Sequence, residues 1–245
     1  MDINIKDNKI LITLCARGGS KGIPGKNTRL LNGIPLIAYS INTAKIFIEK
    51  YNADIILSTD SEEIKDIASE FGLYTDYIRP AVLATDKAGK IPAIKDVLLY
   101  QENKNNIIYD FIIDLDVTAP LRTVTDLENA FCLLLKTEDA FNIFSVSPAN
   151  RNPYFNMVEP DEKGFYHLSK EGHIIKSRQT APLVYDMNAS FYIYRRKFFD
   201  SKWEIAITDK SLAYIVPHTC FDLDHPMDFT IMELLIKEKL LDFEF

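Results

Sequence analysis

The chain has 245 residues, 47% of them hydrophobic and 26% charged, which are ordinary proportions for a globular protein able to bury a sizeable core. A formal net charge of −7 excludes global attraction to nucleic acid or to an anionic membrane, so an anionic ligand must be held by a local cluster of cations. Three scattered cysteines (Cys15, Cys132, Cys220) fit neither a disulfide framework nor a zinc site; with a polar start and no apolar run long enough for a bilayer, the expectation is a soluble cytoplasmic protein.

Residues 10–14, I-L-I-T-L, read as a buried strand. The next stretch, C-A-R-G-G-S-K-G-I-P-G-K-N-T-R-L-L over 15–31, is unlike a core. Gly18, Gly19, Gly22 and Gly25 let the backbone turn or approach a ligand closely, and Arg17, Lys21, Lys26 and Arg29 are cations with no acid among them. Such a loop beyond the end of a strand suits a polyphosphate. A solvated basic turn is the competing reading. Two familiar phosphate loops do not apply, because Gly25-Lys26 is succeeded by Asn27 and not Ser or Thr, and Gly18-Gly19 breaks the G-x-G-x-x-G spacing.

Residues 35–50 show helical periodicity, 54–59 a short strand, and Asp60 with Glu63 a capping box that opens a helix through Phe71. Strand, helix, strand, helix implies a parallel sheet with right-handed crossovers, and ligands in such sheets lie beyond the carboxyl ends of the strands. Arg79-Pro80 begins a polar segment that leads to a helix from about Pro92 to Tyr100. Residues 106–114 read as the central strand, apolar on both faces, and end in D-L-D-V-T-A-P-L-R, where Asp114 and Asp116 share one side of an extended chain. Next come a helix over 123–135 and a strand over 141–146. Residues 150–182 are polar and turn-rich, a β-rich excursion from the sheet with short strands at 165–168 and 174–175. The return carries S-R-Q-T-A-P and Y-D-M-N-A before a strand over 190–194. Last, F-D-L-D at 221–224 places Asp222 and Asp224 on one face of an extended segment, able to grip one hard cation. Two solvated acids on an edge strand are the plain alternative. Pro226 opens a closing helix through Leu241, with Asp228 in its first turn. The fold class read from this order is α/β: one doubly wound, mostly parallel, Rossmann-like sheet in a single domain over 1–245, with the 150–182 insertion attached.

The order A-R-G-G-S-K-G-x-P-G-K-N resembles the signature loop of the CMP-sialic acid (CMP-nonulosonate) synthetase family of cytidylyltransferases. R-P-A-x-L-A-x-D at 79–86, the L-x-x-T-x-P-L-R segment at 115–122, R-Q-x-x-P with N-x-x-x-Y at 178–192, and D-x-D at 222–224 extend the resemblance over nearly the whole chain. Asp116 stands where the sialic acid enzymes carry Gln, and Asp186 where they carry Arg. With R-N-P-Y-F-N-x-V-E at 151–159 and Y-D-M-N-A-S at 185–190, the pattern is closer to the CMP-legionaminate synthetases.

The resemblance implies Mg²⁺-dependent transfer of CMP from CTP to the anomeric hydroxyl of a nine-carbon keto sugar acid, releasing pyrophosphate, in cell-surface glycan biosynthesis. It implies that Arg17, Gly18, Gly19, Ser20, Lys21, Lys26, Asn27 and Arg79 bind CTP. Arg17 and Lys21 would act on the departing pyrophosphate, and Asp222 and Asp224 would hold Mg²⁺. Asp116, Arg178, Gln179, Tyr185 and Asn188 would face the sugar acid. The 150–182 insertion would reach a second subunit in a homodimer, although a surface hairpin suits those residues equally well. For single residues of 79–86, an ordinary connection is as compatible as base recognition. The rival readings are a CMP-N-acetylneuraminate synthetase, another sugar nucleotidyltransferase, and a non-catalytic nucleotide-binding protein.

Overall fold

The computed structural model describes residues 4–19, 22–170, 175 and 177–245. Its centre is a six-stranded sheet. β1 (Ile10–Cys15) lies between β4 (Ala53–Ser58) and β5 (Phe111–Leu115), parallel to both. Beyond β5 come β9 (Tyr185–Arg195), antiparallel to its neighbours, then β6 (Asn142–Pro148) and β10 (Ser211–Ile215), which pair in parallel. A two-residue pair, β2 (Leu30–Leu31) and β3 (Ile34–Pro35), closes the basic loop. A separate hairpin, β7 (Val158–Pro160) with β8 (Tyr166–Leu168), stands in the 150–182 excursion.

Alternation along the buried strands divides the core. Ile10, Ile12 and Leu14 of β1 pack with α1 (Leu36–Lys50), α2 (Glu62–Glu70), α4 (Val124–Lys136) and α5 (Pro226–Lys237) on one face. Leu11, Ile56, Ile112 and Tyr194 pack with α3 (Lys90–Asn105) and the Phe198–Phe199 pair on the other. The chain leaves β1 for β4 on one side and later reaches β5 on the opposite side, so strand order reverses at β1. A crevice at such a switch point is where open α/β sheets hold ligands.

The α/β, mostly parallel architecture is the one expected, and several element boundaries differ. The central strand begins at Phe111 and not at 106, because Asn106 adopts the left-handed conformation (φ 51°) and caps α3. α3 is longer at both ends than the expected helix, starting at Lys90. The N-cap of α2 is Ser61, whose Oγ accepts from Ile64 N; Asp60 instead accepts from Gly18 N at 2.9 Å and ties the basic loop to the end of β4. Residues 221–224 form no strand, and α5 ends at Lys237. Of the expected strand at 174–175, Ile174 lies outside the described residues and Ile175 is in no strand. β10 and the reversed direction of β9 were not anticipated. No helix among the described residues is long and apolar enough to cross a membrane.

Candidate active site

At the carboxyl ends of β1, β4 and β5 lies a cavity of about 280 Å³, lined by Arg17, Lys26, Asn27, Arg79, Lys90 and Asp116 among others. The strand ends dictate its composition. β1 delivers Cys15 and the basic loop, β4 delivers Ser58, which holds Arg79 in the wall, and the turn after β5 delivers Asp116 and Thr118.

The loop is fastened from several sides. Asn27 donates through Nδ2 to Arg17 O at 3.0 Å, and Gly18 N is held by Asp60. Arg17 reaches across the mouth to Asp86, with Nη1 2.7 Å from Oδ1. Arg79 is buried. Its Nε donates to Ser58 Oγ at 2.9 Å and its Nη2 to Ser58 O at 2.7 Å, which fixes the guanidinium against the end of β4. Ser20 and Lys21, both expected in the CTP site, lie outside the described residues.

The D-x-D segment comes to the same place from the other end of the chain. Lys26 Nζ donates to Leu223 O and lies 3.6 Å from Asp224 Oδ1. Leu223 N donates to Thr118 O at 2.9 Å, and Asp224 N and His225 N donate to Asp228 Oδ2, so the segment is pinned between the β5 loop and the start of α5. A Cβ on Gly22 would meet Asp224 O at 2.8 Å; only glycine admits this approach. Burial first, then the neighbouring Asp224 carboxylate, raises the Asp222 pKa above the ordinary carboxylate value. A half-buried carboxylate and an exposed one, side by side against a basic loop, are a donor set of the kind magnesium takes when substrate phosphates supply its remaining ligands. The residues therefore fit the metal, although no cluster of three or more potential ligand side chains occurs among the described residues.

Beneath the cavity lies a charge cluster that the sequence did not disclose. Lys90, the first residue of α3, has its Nζ 2.7 Å from Asp114 Oδ2 and 2.7 Å from Asp116 Oδ2. Asp114 is fully buried and accepts from Thr13 Oγ1 at 2.8 Å; Asp116 Oδ1 accepts from both the N–H and the hydroxyl of Thr118. Lys90 also sits over the Tyr192 ring, 4.9 Å from its centroid. Burial pulls the Lys90 pKa down, but the two carboxylates outweigh it and hold the ammonium well above its ordinary value. Burial likewise pushes Asp116 up, and Lys90 and Thr118 reverse this, bringing it down to about 2. Asp116 is ionised and fully engaged. Arg122, also buried, donates to Ser40 Oγ, Ser190 Oγ, Ala119 O and Asp116 O, fixing the loop that carries Asp116 and Thr118. Cys15 lines the cavity, but burial and then Asp114 push its thiol up to about 12, which leaves no thiolate nucleophile near neutral pH.

The remaining expected sugar-acid residues are elsewhere. Arg178 and Gln179 lie on a short, exposed 3₁₀ turn, and Tyr185 is exposed at the start of β9. The Asn188 side chain is buried and already committed: Oδ1 accepts from Ser145 Oγ at 2.6 Å, and Nδ2 donates to Ser147 Oγ at 2.9 Å. None of the four lines the cavity in the single chain. Lys90, which lies outside the quoted motifs, lines it, as do the motif residues Asp86 and Thr118, and Arg122 holds its walls; none of the four is among the expected site residues. The run D-K-A-G-K before α3 carried a signal for Lys90, since a cation at the first position of a helix opposes the helix dipole.

A basic loop after the first strand, a switch-point crevice and a pair of acids that meets the loop at Lys26, beside the crevice and outside its lining, suit a nucleotidyltransferase. The chain belongs to the cytidylyltransferase family, whose sequence profile matches residues 11–235. It is 43% identical over 234 residues to post-translational flagellin modification protein B of Campylobacter coli, covering 96% of this chain and 97% of that protein. It is 40% identical over 233 residues to the CMP-N,N'-diacetyllegionaminic acid synthase of Campylobacter jejuni, covering 95% and 97%. A pseudaminic acid cytidylyltransferase of the same species is 30% identical over 237 residues, covering 94% and 97%. Among solved structures, CMP:2-keto-3-deoxy-manno-octonic acid synthetase complexed with CTP superposes with a TM-score of 0.67 at 14% identity, covering 94% of this chain and 99% of that one, a likeness of fold.

Proposed function

We propose that the protein transfers CMP from CTP to the anomeric hydroxyl of a nonulosonate of the legionaminate type, releasing pyrophosphate, with Mg²⁺ as cofactor. One observation carries this reading: Lys26 of the basic loop touches the backbone of the Asp222–Asp224 segment at the rim of a cavity that Arg17 and Arg79 also line. Substitution at phosphorus depends mainly on positioning and charge neutralisation. In this reading Arg17 and Lys26, with Lys21, cradle the triphosphate and stabilise charge growing on the departing pyrophosphate. Gly19 and Ser20 offer backbone N–H groups to the phosphates, Gly18 lets the loop pass close while its own N–H is held by Asp60, Asn27 keeps the loop in shape, and Arg79 orients the nucleoside. Asp222 and Asp224 hold Mg²⁺, which when bound neutralises phosphate charge and lowers the pKa of a hydroxyl it contacts. Asp116 faces the acceptor. The relative named as an N,N'-diacetyllegionaminic acid synthase, at 40% identity, supports legionaminate as the acceptor.

Arg178, Gln179 and Tyr185 do not reach their own chain's cavity, and the same region exposes Phe165, Tyr166 and Leu183, each at least 66% accessible. Both observations support a homodimer in which the 150–182 insertion of one subunit, together with the start of β9 that carries Tyr185, supplies these residues to the other's acceptor pocket. Asn188 then shapes that pocket from behind by holding Ser145 and Ser147. Contiguous apolar side chains on an isolated hairpin are otherwise a liability in water.

The test is pyrophosphate release with CTP and Mg²⁺, offering N,N'-diacetyllegionaminate, pseudaminate and N-acetylneuraminate side by side. Turnover is expected with legionaminate in excess over the other two. Turnover confined to another nucleotide, or to a phosphorylated sugar, rejects the proposal. CTP binding without turnover on any of the acceptors favours a non-catalytic role.

A further inference from the structure

The Lys90 cluster takes three charged groups out of water, which carries a large desolvation cost that their mutual attraction must offset. Asp114 is wholly removed from solvent, and a buried carboxylate needs a partner at close range. That partner is an ammonium at the first residue of a 16-residue helix, where the dipole disfavours positive charge, and the N-cap Gly89 offers no side chain to offset it. Hydrophobic residues would join α3 to the sheet at lower cost. What the arrangement achieves is an ammonium held in one place at the mouth of β5, inside a cluster whose formal charge with its two carboxylates is −1. An ammonium carries three N–H donors. One is donated to Asp116 Oδ2 at 2.7 Å; Asp114 Oδ2, also 2.7 Å away, is paired by charge alone and accepts no hydrogen bond among the described residues, and 31% of the side chain remains open toward the cavity.

Enzymes that use two divalent ions in phosphoryl chemistry hold them about 3.5–4 Å apart as a clamp on the attacking and leaving oxygens, and such hard cations take carboxylate oxygens as ligands. Here Asp116 is close enough to Asp222 to contribute to its electrostatic environment. The position between Asp114 and Asp116 is filled by the protein itself. We propose that the Lys90 ammonium is a built-in second cation: it takes the place of a second divalent ion, leaves the protein with one metal site at Asp222 and Asp224, and turns its free N–H toward the phosphoryl group undergoing substitution. This extends the proposed CTP chemistry and rests on it for the identity of the phosphoryl group. The claim that Lys90 occupies a cation's place stands on the cluster alone. Lysine suits the role because it is a compact point charge with rotatable donors. Asp116, with Oδ2 on Lys90 and Oδ1 on Thr118, is a positioning residue for that ammonium and not a metal ligand.

The experiment counts Mn²⁺ bound per chain by electron paramagnetic resonance in the wild type, Lys90→Ala, Lys90→Arg, Lys90→Ala/Asp116→Asn and Asp222→Asn proteins. Lys90→Ala is expected to bind one Mn²⁺ more than the wild type. Adding Asp116→Asn should abolish the extra ion, and Lys90→Arg should not acquire it. A Lys90→Ala protein that gains no ion overturns the inference, as does a wild type that already binds a second ion requiring Asp116. Asp222→Asn reports separately on the metal reading: if it keeps every ion of the wild type, Asp222 is not a ligand, whatever Lys90 does. Should Lys90→Ala fail to fold, crystals of the wild type with Mn²⁺ and α,β-methylene-CTP decide the matter. One anomalous peak, with Lys90 Nζ on an α-phosphate oxygen, is expected; two peaks sharing Asp116 overturn it.

Discussion

Replacing Gly22 with alanine tests whether the basic loop and the acidic segment are built against each other. The new Cβ would lie 2.8 Å from Asp224 O, and that neighbour is backbone, unable to swing aside as a flexible side chain would. Relief needs a shift of about half an ångström or more in the loop or in the 222–224 segment, and forced overpacking of this kind costs about 1–3 kcal/mol. For a chain of this length that corresponds to a fall in Tm of roughly 2–12 °C. The same shift separates Lys26 from Asp224, and misplacement of catalytic groups on the scale of 1 Å costs about 100-fold in rate. We therefore expect kcat for CTP-dependent pyrophosphate release to drop by about 10- to 100-fold, with a modest loss in thermal unfolding. Gly19→Ala is the control, because no atom lies within 4 Å of its would-be Cβ, and it should leave stability unchanged. Wild-type stability and turnover in Gly22→Ala would refute the argument that the close approach matters.

Arg122→Ala should destabilise the fold by about 3 kcal/mol or more in chemical denaturation, because the carbonyls of Ala119 and Asp116 lose a buried donor. Acid stability carries the mark of Asp116. Its folded pKa is depressed from 3.8 to about 2, so its contribution is complete above the unfolded value and is lost as pH falls toward 2. That contribution is about 2 kcal/mol, and Asp116→Asn should lose stability less steeply between about pH 4 and pH 2 in urea titrations. Leu183→Asp, at a side chain 84% exposed, should leave the fold intact but give monomers by light scattering if the insertion makes a dimer. An unaltered oligomer would remove Leu183 from the interface. Asp224→Asn should abolish Mg²⁺-dependent turnover while preserving the circular dichroism spectrum; surviving activity would remove it from the metal site.

Much of the architecture was legible because periodicity reports burial directly. β1, β4 and β6 read as short apolar runs, and α1 and α4 as apolar positions at helical spacing. The direction of β9 was not legible, since nothing in F-Y-I-Y tells a strand which way to run; the long excursion before it permits the reversal. β10 escaped although residues 212–216 are an apolar run, because the run is short and its residues do not alternate apolar with polar. At the site, the basic loop stood out through its glycines and its cations without acids. The acids at 222 and 224 were visible, but their irregular backbone was not, because it is set by Thr118 and Asp228 and not by local propensity. Lys90 was missed for a related reason. Pro92 marked the expected helix start, which left Lys90 in a loop, and its partner Asp116 is 26 residues away on another element. Asp60 shows the converse: a residue read as a cap proves to anchor the loop through Gly18.

The hydrogen bond from Lys26 to Leu223 joins positions 197 residues apart. Closing so distant a contact is among the later events a folding chain can complete. A ribosome-bound chain that has not emerged past residue 222 therefore has the cations without the acids that are set against them. Catalytic competence becomes a readout of finished folding, and activity and global hydrogen-exchange protection should rise together during refolding.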